Sequence, residues 1–151
     1  MNTGSLVEIM HRLDLHLQAR IDTALHATGI TAAQWRALDA AIAAPGSSGA
    51  ELARRCGVTA QTMQALIVTL ERDGLVVRQP HPVHGRVQQV YVSNAGEERH
   101  REGSDTIGAV ESRLLAAFTD EETREFERLL NMAVASLDRA GRSHRSGIGS
   151  I

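Results

Sequence analysis

The chain of 151 residues lacks lysine, so all 16 basic residues are arginine, and it contains only four aromatic residues and one cysteine. The single cysteine, Cys56, excludes an internal disulfide and is typical of a reducing compartment. No apolar run approaches the roughly 20 residues that cross a bilayer, and no export signal is visible. We therefore expect a cytoplasmic protein with an aliphatic core and no membrane partner.

A net charge of −2 argues against indiscriminate nucleic-acid binding, but the charges are divided unevenly along the chain. Residues 45–93 carry five arginines and three acidic residues, a balance of +2. The remainder carries eleven arginines and fifteen acidic residues, a balance of −4. The middle of the chain is therefore the more favourable surface for a polyanion.

Helix caps and apolar residues at helical spacing predict a mainly α protein with a small β-hairpin, an α+β fold. Ser5, Thr31, Ser48, Thr59 and Thr119 stand where each can cap a helix, and Ser48 and Thr119 begin capping boxes. The predicted helices span about residues 5–28, 31–44, 49–56, 59–73, 94–118 and 119–140, and the predicted strands span residues 75–79 and 87–92.

Residues 48–92 combine a short helix, a tight turn, a second helix and a hairpin whose loop, Pro80–Arg86, is long. This order is typical of a winged helix-turn-helix, in which one helix enters the major groove and an arginine of the loop reaches the minor groove. Glutamine on the outer helix face can pair with adenine, and alanine or threonine can contact a thymine methyl. The predicted DNA contacts are Ser48, Thr59, Ala60, Gln61, Thr62, Gln64, Ala65, His84 and Arg86.

Four segments resemble MarR-family regulators: Ser48–Thr59, Glu71–Val76, Ser93–Gly96 and Thr31–Trp35. Their order and spacing carry the resemblance, which covers roughly residues 5–140. It implies an obligate homodimer that binds a pseudo-palindromic site in double-stranded DNA, usually as a repressor relieved by a small ligand or by oxidation.

The resemblance also implies that different segments of the chain have different roles. The first helix and the last two would form the dimer, and the winged helix-turn-helix domain would lie between them. A Gly- and Ser-rich end without periodicity predicts a tail. The predicted regions are 1–30 and 94–140 for dimerisation, 31–93 for DNA binding and 141–151 for the tail.

The sequence departs from the family pattern at the DNA-binding surface. The recognition helix of relatives often carries arginine near the positions of Ala60, Ala65 and Thr69. The wing of relatives usually has aspartate two residues before Arg86, where this chain has His84. Fewer fixed charges indicate weaker backbone contacts, or a site that is recognised more by apolar and amide contacts.

Three other groups of residues have possible roles as sensors. The resemblance places Trp35 near the cleft between the dimer helices and the winged domain, and we predict an effector pocket that contains His11 and Trp35. Cys56 lies where relatives commonly have a buried leucine, so an inert thiol is favoured over a redox sensor. The seven histidines show no pair at helical metal-ligand spacing, so no metal or other cofactor is predicted.

The sequence shows no phosphate loop, nucleophile elbow or spaced carboxylate pair, and we expect no enzymatic activity. The leading prediction is a dimeric, ligand-responsive, DNA-binding transcriptional repressor. Two alternatives stay open. The bare outer face of the recognition helix would also suit a winged-helix module for protein contacts, and a metal- or redox-responsive regulator is the third hypothesis.

Overall fold

The computed structural model of this protein describes residues 4–145, with the backbone alone from residue 140. Its helices begin with side-chain caps. Ser5, Thr31, Ser48, Thr59 and Thr119 each accept a hydrogen bond from the backbone N–H three residues later. This bond satisfies a donor of the first turn, and it confirms the five predicted caps. The helices are α1 (Leu6–His26), α2 (Ala32–Ala43), α3 (Gly49–Cys56), α4 (Ala60–Arg72), α5 (Asn94–Leu115) and α6 (Asp120–Arg145).

Three antiparallel strands form a sheet in the order β1, β3, β2, and they are β1 (Ser47–Ser48), β2 (Val76–Pro80) and β3 (Gln88–Val92). Val77 of β2 pairs with Tyr91 of β3, and Ser47 pairs with Val90 on the other edge of β3. The predicted hairpin is confirmed, with each strand beginning one residue later than predicted. The two-residue β1 was not predicted, because a segment that short shows no alternation.

The described chain divides into two units, an N-terminal unit up to Val110 and a C-terminal unit from Glu111. The N-terminal unit has an aliphatic core to which α1 contributes Leu25 and the following loop contributes Ile30. Helices α2, α3 and α4 and the sheet supply most of the rest. The largest fully buried side chains are Leu25, Leu38, Leu52, Met63, Ile67, Leu70, Val76 and Val90.

The Ser93–Gly96 segment joins α5 to the rest of the N-terminal unit. Ser93 donates its side-chain hydroxyl to the Gly74 carbonyl at 2.6 Å and its backbone N–H to the Leu75 carbonyl at 3.0 Å. A Cβ at Gly96 would overlap the Leu75 carbonyl oxygen, so glycine is required for this close approach. The motif therefore fixes where α5 leaves the hairpin.

The C-terminal unit contains the end of α5 and the whole of α6. Phe118 and Phe126 pack edge to face, with ring centroids 5.5 Å apart. No α6 residue with a described side chain is buried. Helix α6 continues to Arg145, five residues beyond the predicted end of the last helix at residue 140, and residues 146–151 of the predicted tail lie outside the described residues. Helical backbone hydrogen bonds need no apolar periodicity, which was the only sequence signal used there.

None of the helices in the described part of the chain is both long enough and apolar enough to span a bilayer.

Candidate DNA-binding interface

A short helix and a tight turn position α4, which we name the recognition helix. Ser48 accepts the Glu51 N–H at 3.2 Å, and Glu51 accepts the Ser48 N–H at 2.7 Å. The hydrogen bond from the Ser48 backbone N–H, and next that from the Ser48 side chain, hold the pKa of the Glu51 carboxyl below its usual value. Gly57, with φ of 66°, ends α3 in the left-handed conformation, and Thr59 then caps the recognition helix by accepting the Thr62 N–H. Ser48 and Thr59, both predicted DNA contacts, therefore have their hydroxyls engaged in caps.

The recognition helix has one buried and one exposed face. Met63, Ile67 and Leu70 are at most 2% exposed and attach the helix to the core. No hydrogen bond to a described residue engages the side-chain amides of Gln61 or Gln64, so these amides are available to a ligand. The exposed face consists of small, apolar or amide side chains: Ala60, Gln61, Thr62, Gln64, Ala65 and Val68.

A cleft of about 420 Å³ lies between the start of α3, the recognition helix and the hairpin. It brings together predicted residues that are distant in sequence, since the helices and the hairpin loop meet there. Four predicted DNA contacts line it, namely Ser48, Ala60, Gln64 and Arg86, while Thr59, Gln61, Thr62, Ala65 and His84 are exposed but do not line it.

Arg78 lines the same cleft and was missed by the sequence analysis. Its guanidinium donates two hydrogen bonds to one carboxylate oxygen of Glu71, at 2.5 and 3.0 Å. The bond lowers the pKa of Glu71 and raises that of Arg78. The sequence pattern of β2 could have indicated this position. Successive side chains of a strand point to opposite sides of the sheet, so Arg78, two residues beyond the buried Val76, lies on the same side as Val76.

The wing, defined as residues 81–87, presents Arg86 on a tight turn. The Val87 N–H donates to the His84 carbonyl at 2.8 Å, which places Gly85 and Arg86 at the two central positions. His84 and Arg86 are both exposed. Of the two arginines that line the cleft, Arg78 is neutralised by Glu71, and no ion pair to a described residue engages Arg86. Arg86 is therefore the cleft arginine that is available to an anion.

Trp35, predicted to line an effector pocket, lies in a polar cluster between α2 and α5. Its ring stacks on that of His100, with centroids 5.3 Å apart and planes 8° apart. The indole N–H lies 3.2 Å from both the His100 carbonyl and the Ser104 hydroxyl. His100 Nε2 is 2.9 Å from an Asp39 carboxylate oxygen. One indole face and the indole N–H are therefore already occupied.

His11, the other predicted pocket residue, is exposed on α1. Within residues 4–139 no hydrogen bond, ion pair or ring contact joins His11 to Trp35. The shared pocket therefore stays a prediction. The residues that do contact Trp35 were missed because they are 65 and 69 positions away in the chain, beyond the reach of any local pattern.

Cys56 is half-buried at the end of α3 and lies 3.6 Å from the Arg36 carbonyl, to which its thiol can donate. Burial raises the pKa of the Cys56 thiol. A raised pKa leaves little thiolate near neutral pH, and a cysteine with little thiolate is unreactive. No group of three or more potential metal ligands converges within the part of the chain that the structure describes.

Comparison with known proteins shows that this chain is similar to one family of regulators. A sequence model of the MarR family matches residues 28–87. The HTH-type transcriptional repressor Rv2887 of Mycobacterium tuberculosis is 30% identical over 122 residues, which cover 81% of this chain and 88% of the relative.

Solved structures of the same mycobacterial MarR-family protein match the fold. The crystal structure of its complex with DNA has a TM-score of 0.75 and 28% identity, covering 86% of this chain and 98% of that chain. The crystal structure of its complex with salicylic acid has a TM-score of 0.72 and 29% identity, covering 87% and 98%. Both likenesses extend well beyond the winged region.

Proposed function

This chain belongs to the MarR family of transcriptional regulators, and we propose that it is a repressor that binds a pseudo-palindromic DNA site as a homodimer and responds to a small ligand. The observation that carries the proposal is the recognition surface. Ala60 and Gln64 of the recognition helix, the start of α3 and Arg86 border one cleft.

In this proposal the recognition helix enters a major groove. Gln61 and Gln64 would contact base edges, because their amides are exposed and unengaged by described residues. Ala60, Thr62 and Ala65 would contact thymine methyls or the sugar-phosphate backbone. The start of α3 at Ser48 and that of the recognition helix at Thr59 would lie near phosphates, where helix N-termini favour negative charge.

The wing would reach the adjacent minor groove. Arg86 lies on an exposed turn, and a narrow minor groove attracts arginine through its negative potential. His84 begins the same turn and would lie close to the backbone. With Arg78 neutralised by Glu71, most direct recognition would depend on amide and apolar contacts.

Exposed apolar side chains support the homodimer. In α1, Leu6 and Val7 are 72% and 76% exposed, and in α6, Val134 and Leu137 are 59% and 75% exposed. Large apolar residues in such concentration mark interaction surfaces. We propose that α1, α5 and α6 form the dimer, as predicted for residues 1–30 and 94–140.

The ligand response is proposed from the mycobacterial relative, whose structure was solved with salicylic acid. Helix α2, which carries Trp35, follows α1 in the chain and is the first helix of the winged domain. A ligand that contacts Trp35 or His11 would change the population of protomer arrangements that fit DNA. A small aromatic acid is the class to test first.

The direct test is fluorescence anisotropy with a labelled duplex that carries the DNA upstream of the coding sequence of this chain, beside a scrambled duplex. Binding should be selective for the first duplex and should weaken between about 50 and about 200 mM salt, because phosphate contacts release counterions. Salicylate should then be titrated into the complex.

Salt-dependent binding to DNA supports the proposal, and release by salicylate supports its ligand-responsive part. If neither duplex is bound at low salt, the DNA-binding proposal is wrong, and the exposed recognition helix favours a protein-contact module instead.

A further inference from the structure

One residue, His81, is bonded to both ends of the wing turn, through its side chain at one end and through its backbone at the other. The Nδ1 atom of His81 lies 3.1 Å from the backbone nitrogen of Val83 and 3.1 Å from that of His84. The backbone N–H of His81 donates to the Val87 carbonyl at 2.8 Å. His84 and Val87 are the first and last residues of the turn that carries Arg86. His81 is therefore hydrogen-bonded to both ends of that turn.

Burial distinguishes His81 from the rest of the wing. Across residues 82–87 every residue is exposed, whereas His81 is half-buried. Val83, at the tip, is 77% exposed. The wing has no apolar core of its own, so its conformation depends on hydrogen bonds.

The geometry requires one chemical state of the imidazole. Two backbone N–H groups point to Nδ1, so Nδ1 has to be an acceptor and the ring proton has to be on Nε2. A protonated imidazole carries hydrogen on both nitrogens and accepts from neither N–H. The two bonds are therefore available to the neutral ring and are lost on protonation.

We propose that His81 is a positioning residue for Arg86, holding the wing turn through an unprotonated Nδ1 and loosening it when the ring is protonated. This inference rests on the proposed DNA binding for its consequence, although the hydrogen-bonded state itself does not.

Another titratable group faces the His81 ring. The His84 ring packs against it, with centroids 5.2 Å apart and planes tilted by 31°. Arg86 is the charged residue of the same turn. Two adjacent imidazolium rings would repel each other, so protonation of both rings acts in the same direction as the loss of the two hydrogen bonds.

A first experiment needs no DNA. In the full-length protein labelled with ¹⁵N, long-range ¹H–¹⁵N correlation spectra report which imidazole nitrogen carries the proton. Near pH 8 the His81 ring should be the Nε2–H tautomer, and the amide signals of Val83 and His84 should shift as His81 is protonated. An Nδ1–H tautomer at that pH, or amides that do not respond, would overturn the inference.

The second experiment uses the fact that an asparagine oxygen can take the position of Nδ1, whereas a glutamine nitrogen or oxygen reaches that of Nε2. Binding of the upstream duplex is measured for the wild type, His81→Asn and His81→Gln. Near pH 8, His81→Asn should bind within about twofold of the wild type, and His81→Gln about three- to tenfold more weakly, the range expected for a lost hydrogen bond.

The same variants are then compared near pH 5. The wild type should weaken relative to His81→Asn by about three- to tenfold, because asparagine does not titrate. The histidines other than His84, which packs against the substituted ring, are common to both proteins and cancel in the ratio. If the wild type instead gains affinity relative to His81→Asn on acidification, the imidazolium attracts phosphate and the positioning role is wrong.

Different results would contradict the proposed DNA binding and the proposed role of His81. A wild type that binds no DNA contradicts the proposed function and leaves the tautomer experiment to decide the hydrogen bonding. A wild type that binds DNA, with His81→Asn and His81→Gln equally impaired, contradicts the positioning inference alone.

Discussion

The two units of the chain differ in how far their apolar side chains are exposed to solvent. In the N-terminal unit, Leu38 and Leu70 are at most 1% exposed within a closed core. In the C-terminal unit, Leu129, Met132 and Leu137 are 49%, 53% and 75% exposed. The first half of α1 resembles the C-terminal unit in this respect. The core that positions the recognition helix is therefore complete in one protomer, whereas α1 and α6 have apolar surface that a second protomer would cover.

This contrast separates two requirements of a dimeric DNA-binding protein. Recognition needs side chains held rigidly, and a closed core supplies that within each protomer. Spacing between two recognition helices is set elsewhere, by the dimer contacts. Changes in the core should therefore alter folding stability, and changes on α6 should alter association.

The largest expected effect is in the closed core. Leu70→Ala should lower the free energy of unfolding by about 2–5 kcal/mol, because it removes buried methyl groups and leaves a cavity against the sheet. Urea unfolding followed by circular dichroism measures the change. Val68→Ala, two residues earlier on the exposed face of the same helix, is the matched control and should cost far less. Equal losses for the two variants would contradict the closed-core description.

The second effect is on association. Leu137→Glu should weaken the dimer by about 2 kcal/mol or more, roughly thirtyfold in the dissociation constant, because it would bury a charge among apolar side chains. Sedimentation equilibrium measures this constant. Val77→Glu changes an exposed apolar residue of the N-terminal unit and should leave the dimer intact. An unchanged dimer in Leu137→Glu would remove α6 from the interface.

A smaller effect distinguishes specificity from affinity at the recognition surface. Gln64→Ala should lower the preference for the upstream duplex over the scrambled duplex by about 1–3 kcal/mol, because a base contact is lost. Arg86→Ala should weaken binding to both duplexes and lower the salt slope by about 1 while leaving the preference unchanged. Competition anisotropy at several salt concentrations separates the two patterns. Identical behaviour of the two variants would show that the docking is wrong.

The smallest effect concerns the Glu71–Arg78 pair. The pKa of Glu71 in the folded protein lies below its ordinary value of 4.5, so the pair stabilises the fold above that pH and is lost as the pH falls through the folded value. Glu71→Gln should therefore be slightly less stable than the wild type near neutral pH, and the difference should vanish in acid. Urea unfolding over that pH range measures it, and a difference that grows in acid would contradict the assignment.

The sequence predicted the helix caps and helix faces, which depend on residues close together in the chain, and missed the contacts between residues far apart in the chain. The caps at Ser48 and Thr59 were predicted because a cap and its partner are three residues apart. The exposed face of the recognition helix was predicted from its apolar period. The contact of Trp35 with His100 was not predicted, because the two residues are 65 positions apart. The bonds of His81 to Val83 and His84 were not predicted either, although they are local, because they depend on the orientation of the imidazole ring. The contacts to DNA and to an effector remain predictions.

The central claim is that two protomers present two recognition helices to one DNA site. Hydroxyl-radical footprinting on the upstream duplex, with the mass of the complex measured by light scattering, tests it most directly. The account predicts two protomers on the duplex and two protected half-sites about one helical turn, roughly 34 Å, apart. A complex with one protomer, or a single protected half-site, would contradict it.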